Sequence, residues 1–343
     1  MFRFKPIFKT LVWGGDKIAA LKGIETDQKN IGESWEISAV KGNESVVAEG
    51  PYEGKTITEL AETLKEKLLG EKVSLHTGTE VPLLIKFIDA KSDLSIQVHP
   101  NDELAAARHN SKGKTEMWYV LGADPGAHLM SGLSKAITKE EYVKRVENNT
   151  ITEVLSDHEV APGDVFFIPA GRIHAIGGGC LVAEIQQTSN ITYRIYDYGR
   201  LGIDGKPREL HTEQAVDAID FETKYSYRTG YTKGKNQENL LVKCPYFTTS
   251  LYDLTEEFTK DLHNIDSFVV VMCLEGAADI STLEIKPKQT LKAFGIVRES
   301  REKVEDVETL HIRQGETVLI PATALNLRIE PDSQTKILTS YIK

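Results

Sequence analysis

Two stretches of this chain repeat one pattern at nearly matched spacing, and that repeat limits its fold more than any other feature. PGDVFFIPAGRIHAI at 162–176 is echoed by QGETVLIPATALNLRI at 314–329, and VLGA at 120–123 by LEGA at 274–277. The separation from Gly122 to Gly163 is close to that from Gly276 to Gly315. Each copy has a glycine, an acidic residue, three residues that are apolar but for Thr317, Ile-Pro-Ala and then a further apolar run. Short apolar runs bounded by Gly and Pro read as strands. A self-similar unit recurring in one chain reads as one β-rich module present twice. The polar, Gly-bearing stretch 222–240 suits a connection, so the modules are expected at 1–235 and 236–343.

Helices are expected as minor insertions in or flanking the first module, at about 55–70, 101–110, 138–150 and 208–219. In the first of these, Ile57, Leu60, Leu64, Leu68 and Leu69 form an apolar stripe, Thr56 or Thr58 can cap it, and Gly70 can end it. Asn101 and Thr138 stand at cap positions of the next two.

The chemistry concentrates in SIQVHPNDELAAARHNSKGKTEMWYVL at 95–121. Strand residues two apart share a face, so Ser95, Gln97 and His99 point together, as do Lys114 and Glu116 on the next run. A nitrogen and an oxygen donor on one strand with a carboxylate on the next make most of a metal site. Lys86, inside the apolar run VPLLIKFIDA, has two readings: an edge or snorkelling lysine, or one that points into an anion pocket.

The bulk properties set limits. Lys plus Arg is 41 against 51 for Asp plus Glu, a net charge of −10, which gives no support to binding nucleic acid or an anionic membrane. Cys180, Cys244 and Cys273 are odd in number, and no CxxC occurs, so free thiols in a reducing compartment are expected. The amino-terminal MFRFKPIFKTLVWGG has no continuous apolar core of a secretory signal, and no run is long enough for a membrane span. The expected location is the cytoplasm.

The pattern Gly-Asp/Glu, three apolar residues and Ile-Pro-Ala resembles the second motif of cupins, which are small β-barrels of jelly-roll type. The resemblance implies a mainly β chain of two such barrel modules. It also implies that the last metal ligand is the His after the Pro-Ala-Gly turn, which is His174 here. The ligand set becomes Gln97, His99, Glu116 and His174. Its donors suit a catalytic divalent ion, zinc first, and leave iron, manganese and cobalt open. In the repeat alignment His174 falls opposite Asn326 and Glu116 opposite Val270, so only the first module is expected to carry the site.

LVWGG near the amino terminus, PLLIKFIDA at 82–90, LSIQVHPND at 94–102, KTEMWYVL at 114–121, IPAGRIHAI at 168–176 and SNITYRIYDYGR at 189–200 together resemble type I mannose-6-phosphate isomerases, in their short bacterial branch. That resemblance implies a zinc enzyme of mannose metabolism, with one ion per chain. It would interconvert mannose 6-phosphate and fructose 6-phosphate by proton transfer through a cis-enediol(ate). It implies Lys114 and Arg194 as catalytic pocket residues and Lys86 and Ser95 as substrate-binding ones. Arg200 is placed with the substrate only by position, where longer members carry a lysine. The partner implied is a small phosphorylated sugar; oligomeric state is not implied.

One departure bears on mechanism. Longer members have an aspartate four residues before the pocket arginine, where this chain has Asn190, and an amide cannot act as a carboxylate base. Glu184 and Asp197 are the outside candidates for proton transfer. The competing functions are a noncatalytic sugar-phosphate sensor and another metal-dependent cupin enzyme acting on a phosphorylated sugar.

Overall fold

The strand Leu83–Ala90 shows how the layers of this protein arise. All 8 of its residues are buried, and successive side chains point to opposite faces. Leu83, Ile85 and Phe87 pack with Val270, Met272, Leu319 and Leu338, whereas Ile88 and Ala90 pack with Trp118, Val182, Leu129 and Ile176. A strand apolar on both sides must be covered on both sides. The computed structural model describes residues 1–286, 290–293, 296–299 and 303–342, and within them four large antiparallel sheets meet this demand.

The first module pairs a 6-stranded sheet, which contains Leu83–Ala90, Glu116–Ala123 and Cys180–Gln187, with a 5-stranded sheet, which contains Ile96–Val98, His174–Ile176 and Tyr193–Tyr196. The second pairs a 7-stranded with a 4-stranded sheet around Val269, Val271, Ile280, Val318, Leu327 and Ile337. The 6- and 7-stranded sheets then pack back to back through the largest core cluster. Helices Lys139–Glu147 and Thr212–Ala218 cover the outer face of the 5-stranded sheet with Tyr142, Val146 and Ala215. The chain is mainly β with few helices, in two modules of jelly-roll type, as the repeat and its resemblance implied.

The chain does not divide cleanly between these layers. Strand Phe2–Lys5 pairs with Thr317–Ile320, placing Phe2 beside Leu319, and with Val46–Val47 on its other side. Arg3 holds Glu49 at 3.0 Å and Glu316 at 2.8 Å. A boundary near 235 is therefore our proposal for the modules, with the first strand crossing it.

The expected helix at 55–70 forms as two pieces. Thr56 caps Ile57–Leu64 in a reciprocal box with Glu59. Lys65, with φ of 48°, breaks the helix, and Glu66–Leu69 follows. The break lets Leu68 and Leu69 both reach the core beside Ile57 and Leu60. A further helix, Glu71–Thr77, begins after Gly70, and another, Lys17–Lys22, lies where none was expected. Asp102–His109 and Lys139–Glu147 start at the caps read from sequence, Asn101 and Thr138. The last expected helix begins only at Thr212. No helix among the described residues is long and apolar enough to cross a membrane.

The duplicated pattern holds in the ladders, with one correction. Ile168 pairs with Glu116, and its equivalent Ile320 pairs with Val269. Val269 and Glu116 both face the interior of their own sandwich, while Val270 faces the core shared by the two large sheets. Glu116 therefore corresponds to Val269 rather than Val270. The one-residue slip arises because Gly122 and Gly276 are not equivalent: the irregularities at Leu121 and Leu274 coincide, and Gly122 then falls opposite Glu275.

Because one core joins the two large sheets, both modules should unfold in a single transition. Phe87→Ala should lower that stability by about 3–5 kcal/mol, read by denaturant titration with circular dichroism. Two resolved transitions, only one of them shifted by the substitution, would contradict the shared core.

Candidate metal centre and sugar-phosphate cavity

Three neighbouring strands and one facing strand assemble the site. His174 and Arg194 both pair with Gln97, on opposite sides of it. Residues directly paired across antiparallel strands share a face, so Arg194, Gln97 and His174 form a row on the inner surface of the 5-stranded sheet. Glu116 starts its strand in the opposing sheet. The turn at Pro169–Gly171 carries the chain from one sheet to the other, and Gly171 donates its N–H to His99 O at 2.9 Å. Its φ is 89°, and a Cβ there would meet Ala218 O at 3.0 Å, so glycine fits where a side chain would be strained.

The imidazoles are held in one orientation. His99 Nδ1 lies 2.8 Å from Ile191 O and His174 Nδ1 lies 2.8 Å from Arg172 O. A carbonyl can only accept, so each Nδ1 carries the proton and each Nε2 presents a lone pair. Those lone pairs face Glu116. Its Oε1 is 3.3 Å from His174 Nε2 and its Oε2 is 3.4 Å from His99 Nε2. Ligand atoms of the three residues all lie within 4.8 Å of one another, and all three residues are buried.

Neither oxygen of Glu116 accepts an aligned hydrogen bond, although the Lys114 ammonium lies 2.8 Å from Oε2 and 3.1 Å from His99 Nε2. Three acceptors converging in a dry site, with Lys114 the one ammonium beside them, fit a divalent cation. Gln97 Nε2 stands 3.3 Å from His174 Nε2. Turning that amide over offers Oε1 instead and supplies a fourth donor.

The electrostatics favour the ligating forms. Burial, reinforced by the Lys114 charge, lowers the His99 imidazolium pKa to about 4. Burial also lowers that of His174. Burial alone would raise the Glu116 carboxyl, but Lys114, His99 and His174 overcome it and hold Glu116 well below its ordinary value. The site is an ionised carboxylate between two neutral imidazoles.

A cavity of about 450 Å³ opens beside it, and Ser95, Gln97, Lys114, His174 and Arg194 all line it. Lys86 lines it as well; it is buried in an internal strand, so it is neither an edge nor a snorkelling lysine. Its Nζ is 3.1 Å from Glu184 Oε1, 3.7 Å from Glu33 Oε2 and 5.1 Å from the Trp35 ring centre. Burial opposes its charge, but the two carboxylates win and hold its pKa above the usual range.

Arg200 stands elsewhere. It donates to Asp93 O and, at 2.8 Å, to Asp197 Oδ1, and the cavity wall carries Arg208 in its place. Arg208 grips Asp197 through Nε at 2.7 Å and Nη2 at 2.5 Å. Burial would raise the Asp197 carboxyl, yet the two arginines keep it below its ordinary value. Arg194 Nε is buried without a partner, while its Nη1 donates to Glu209 O at 2.9 Å.

Two contributors escaped the sequence reading. Trp118 donates Nε1–H to Glu184 Oε2 at 2.9 Å and sets its ring edge-on to His174, with centroids 5.3 Å apart. Its signal was available, since Trp118 continues the Lys114–Glu116 alternation. Arg208 had no such signal. It is brought to the wall by a loop that turns back through the Leu201–Pro207 bridge.

The family model "Phosphomannose isomerase type I, catalytic domain" matches residues 1–120. The chain is 37% identical over 276 residues to a mannose-6-phosphate isomerase of Bacillus subtilis, covering 80% of this chain and 85% of that one. It is 35% identical over 245 residues to a mannose-6-phosphate isomerase of Streptococcus mutans, covering 71% and 76%. The crystal structure of the mannose 6-phosphate isomerase from Bacillus subtilis superposes with a TM-score of 0.84 at 30% identity, over 99% of both chains. The apo form of the Salmonella typhimurium enzyme, at 19% identity and a TM-score of 0.76, shares the fold.

Protons compete with metal only where they bind the ligands. With both imidazolium pKa values lowered by burial, zinc affinity should stay level through the ordinary histidine range and fall only at more acid pH. Competition titration with a chromophoric chelator reads this. A fall centred near the ordinary histidine value would contradict the site as described.

Proposed function

The chain belongs to the type I phosphomannose isomerase family, and on that premise we propose that it interconverts mannose 6-phosphate and fructose 6-phosphate, with one zinc ion held by Gln97, His99, Glu116 and His174. The observation that carries this reading is the buried Glu116 carboxylate. It faces two imidazole lone pairs beside a cavity walled by Arg194, Arg208, Lys86 and Lys114. A concave site with a cation-binding cluster and a surplus of fixed positive charge suits a phosphorylated polyhydroxy substrate.

Such an isomerisation moves one proton between carbons and one between oxygens. C2 of the open-chain aldose loses a proton as O1 gains one; C1 of the enediol then takes a proton as O2 releases one. A bound divalent ion would draw electron density from the sugar oxygens and stabilise the enediolate. The chain's own residues supply the rest. The Lys114 ammonium and the Arg194 guanidinium oppose negative charge as it develops on O1 and O2.

Proton removal needs a base. Asp197 is committed to its arginines and does not line the cavity, whereas Glu184 does. We assign the transfer to Glu184, oriented by Trp118 Nε1 at 2.9 Å and Lys86 at 3.1 Å. Arg208, fixed by both oxygens of Asp197, binds the phosphate with Arg194, and Asp197 and Arg200 hold it in place. The free state of Cys180, Cys244 and Cys273 supports a reducing, cytoplasmic setting.

Glu184→Gln should lower kcat by about 10²–10⁴-fold with little change in KM. Arg208→Ala should instead raise KM for mannose 6-phosphate by about ten- to a hundredfold and reduce the preference for it over mannose. Steady-state kinetics on both variants separates the roles. An unchanged KM in Arg208→Ala, or full turnover by Glu184→Gln, would overturn the assignment concerned.

A further inference from the structure

Among its described residues the second module has no counterpart of the His99, Glu116 and His174 cluster, yet one of its side chains reaches the segment that presents Glu116. Glu116 is the first residue of its strand, so residues 113–115 lie outside the ladder and depend on other contacts for their position. Gly113 packs so closely on the start of helix Asp102–His109 that a Cβ would stand 2.5 Å from Asn101 C and Asp102 N. Asp102 Oδ1 accepts the Gly113 N–H at 2.8 Å and a Gln187 Nε2–H at 3.1 Å. Gln187 Oε1 in turn accepts the Thr115 N–H at 2.8 Å, and the Gln187 N–H donates to Thr115 O at 3.1 Å.

The remaining oxygen of Asp102 belongs to the other module: Oδ2 accepts the Tyr246 hydroxyl at 2.7 Å. Tyr246 sits in the turn between strands Glu238–Lys243 and Thr248–Leu254. The next residue, Phe247, is fully buried in the core shared by the two large sheets, and the Cys244 N–H closes the turn on Phe247 O at 3.0 Å. Tyr246 is thus held by the back-to-back packing of the modules. Its hydroxyl is the first link of a hydrogen-bonded chain through Asp102 and Gln187 that ends at the backbone on both sides of Lys114.

We propose that Tyr246 is a positioning residue: from the second module it fixes, through Asp102 and Gln187, the segment 113–116 that sets Lys114 and Glu116 in the site. The proposal gives the ligand-free module a part in the reaction and rests on the isomerase reading above. A carboxylate and an ammonium that must meet developing charge within a fraction of an ångström need such support, because small misplacements lower kcat more than binding.

Tyr246→Phe removes the hydroxyl and keeps the ring, so the packing on Phe247 survives. Its kcat for mannose 6-phosphate should fall about three- to tenfold, a part of the worth of one hydrogen bond to a charged acceptor transmitted to the site, with KM and melting temperature close to the wild type. Cobalt(II) serves as a second probe: its visible absorption band should shift in the variant, reporting displaced Glu116. Asp102→Asn should lower kcat similarly, and the double variant should be no slower than Asp102→Asn alone, because both act through one chain.

Wild-type kcat and an unshifted cobalt band in Tyr246→Phe would overturn the proposal, as would fully additive effects in the double variant. Should the wild type itself fail to turn over mannose 6-phosphate, the isomerase reading would fall. The cobalt band would still decide whether Tyr246 positions the segment.

Discussion

A carboxylate sealed between two sheets requires positive charge, and beside Glu116 only Lys114 supplies it while two imidazole lone pairs face it. Lys114 lies 2.8 Å from one oxygen, and the Nε2 atoms of His99 and His174 face the pair of oxygens at 3.4 and 3.3 Å. The imidazoles cannot donate, because their protons are spent on the carbonyls of Ile191 and Arg172. Much else in the first module serves this meeting. The two facing sheets bring it about, the Pro169–Gly171 turn carries His174 across to it, and the dry surroundings make a shared cation worth far more than it would be in water.

The duplication supplies the contrast. The second module has the same ladder and the same inward face, with Val269 where the first has Glu116 and Asn326 where it has His174. Its interior is a continuous apolar core. The first module gives up that packing around the site and is buttressed by the second across the largest core cluster.

How much of this was legible in the sequence follows from the range of the interactions. The i, i+2 rule alone put Ser95, Gln97 and His99 on one face and Lys114 with Glu116 on another, and the cupin resemblance pointed to His174. These are local facts, and they hold. The one-residue error at Val270 came from aligning Gly122 with Gly276, which stand one residue apart in the matched ladders. Pairing of Ile320 with Val269 corrects it. Lys65 breaks its helix because Leu68 and Leu69 both seek a core that lies far away in sequence. Arg208, not Arg200, lines the cavity because a returning loop and the shared partner Asp197 decide which arginine faces in. No spacing rule encodes that choice. The Tyr246–Asp102 contact joins residues 144 positions apart and is visible only in the fold.

The account stands on turnover that depends on the ion. Metal-free protein should show no conversion of mannose 6-phosphate to fructose 6-phosphate in a coupled assay. Adding about one equivalent of zinc per chain should restore it, and a chelator should abolish it again. No turnover by the zinc-loaded protein, or turnover that a chelator leaves untouched, would contradict the central claim.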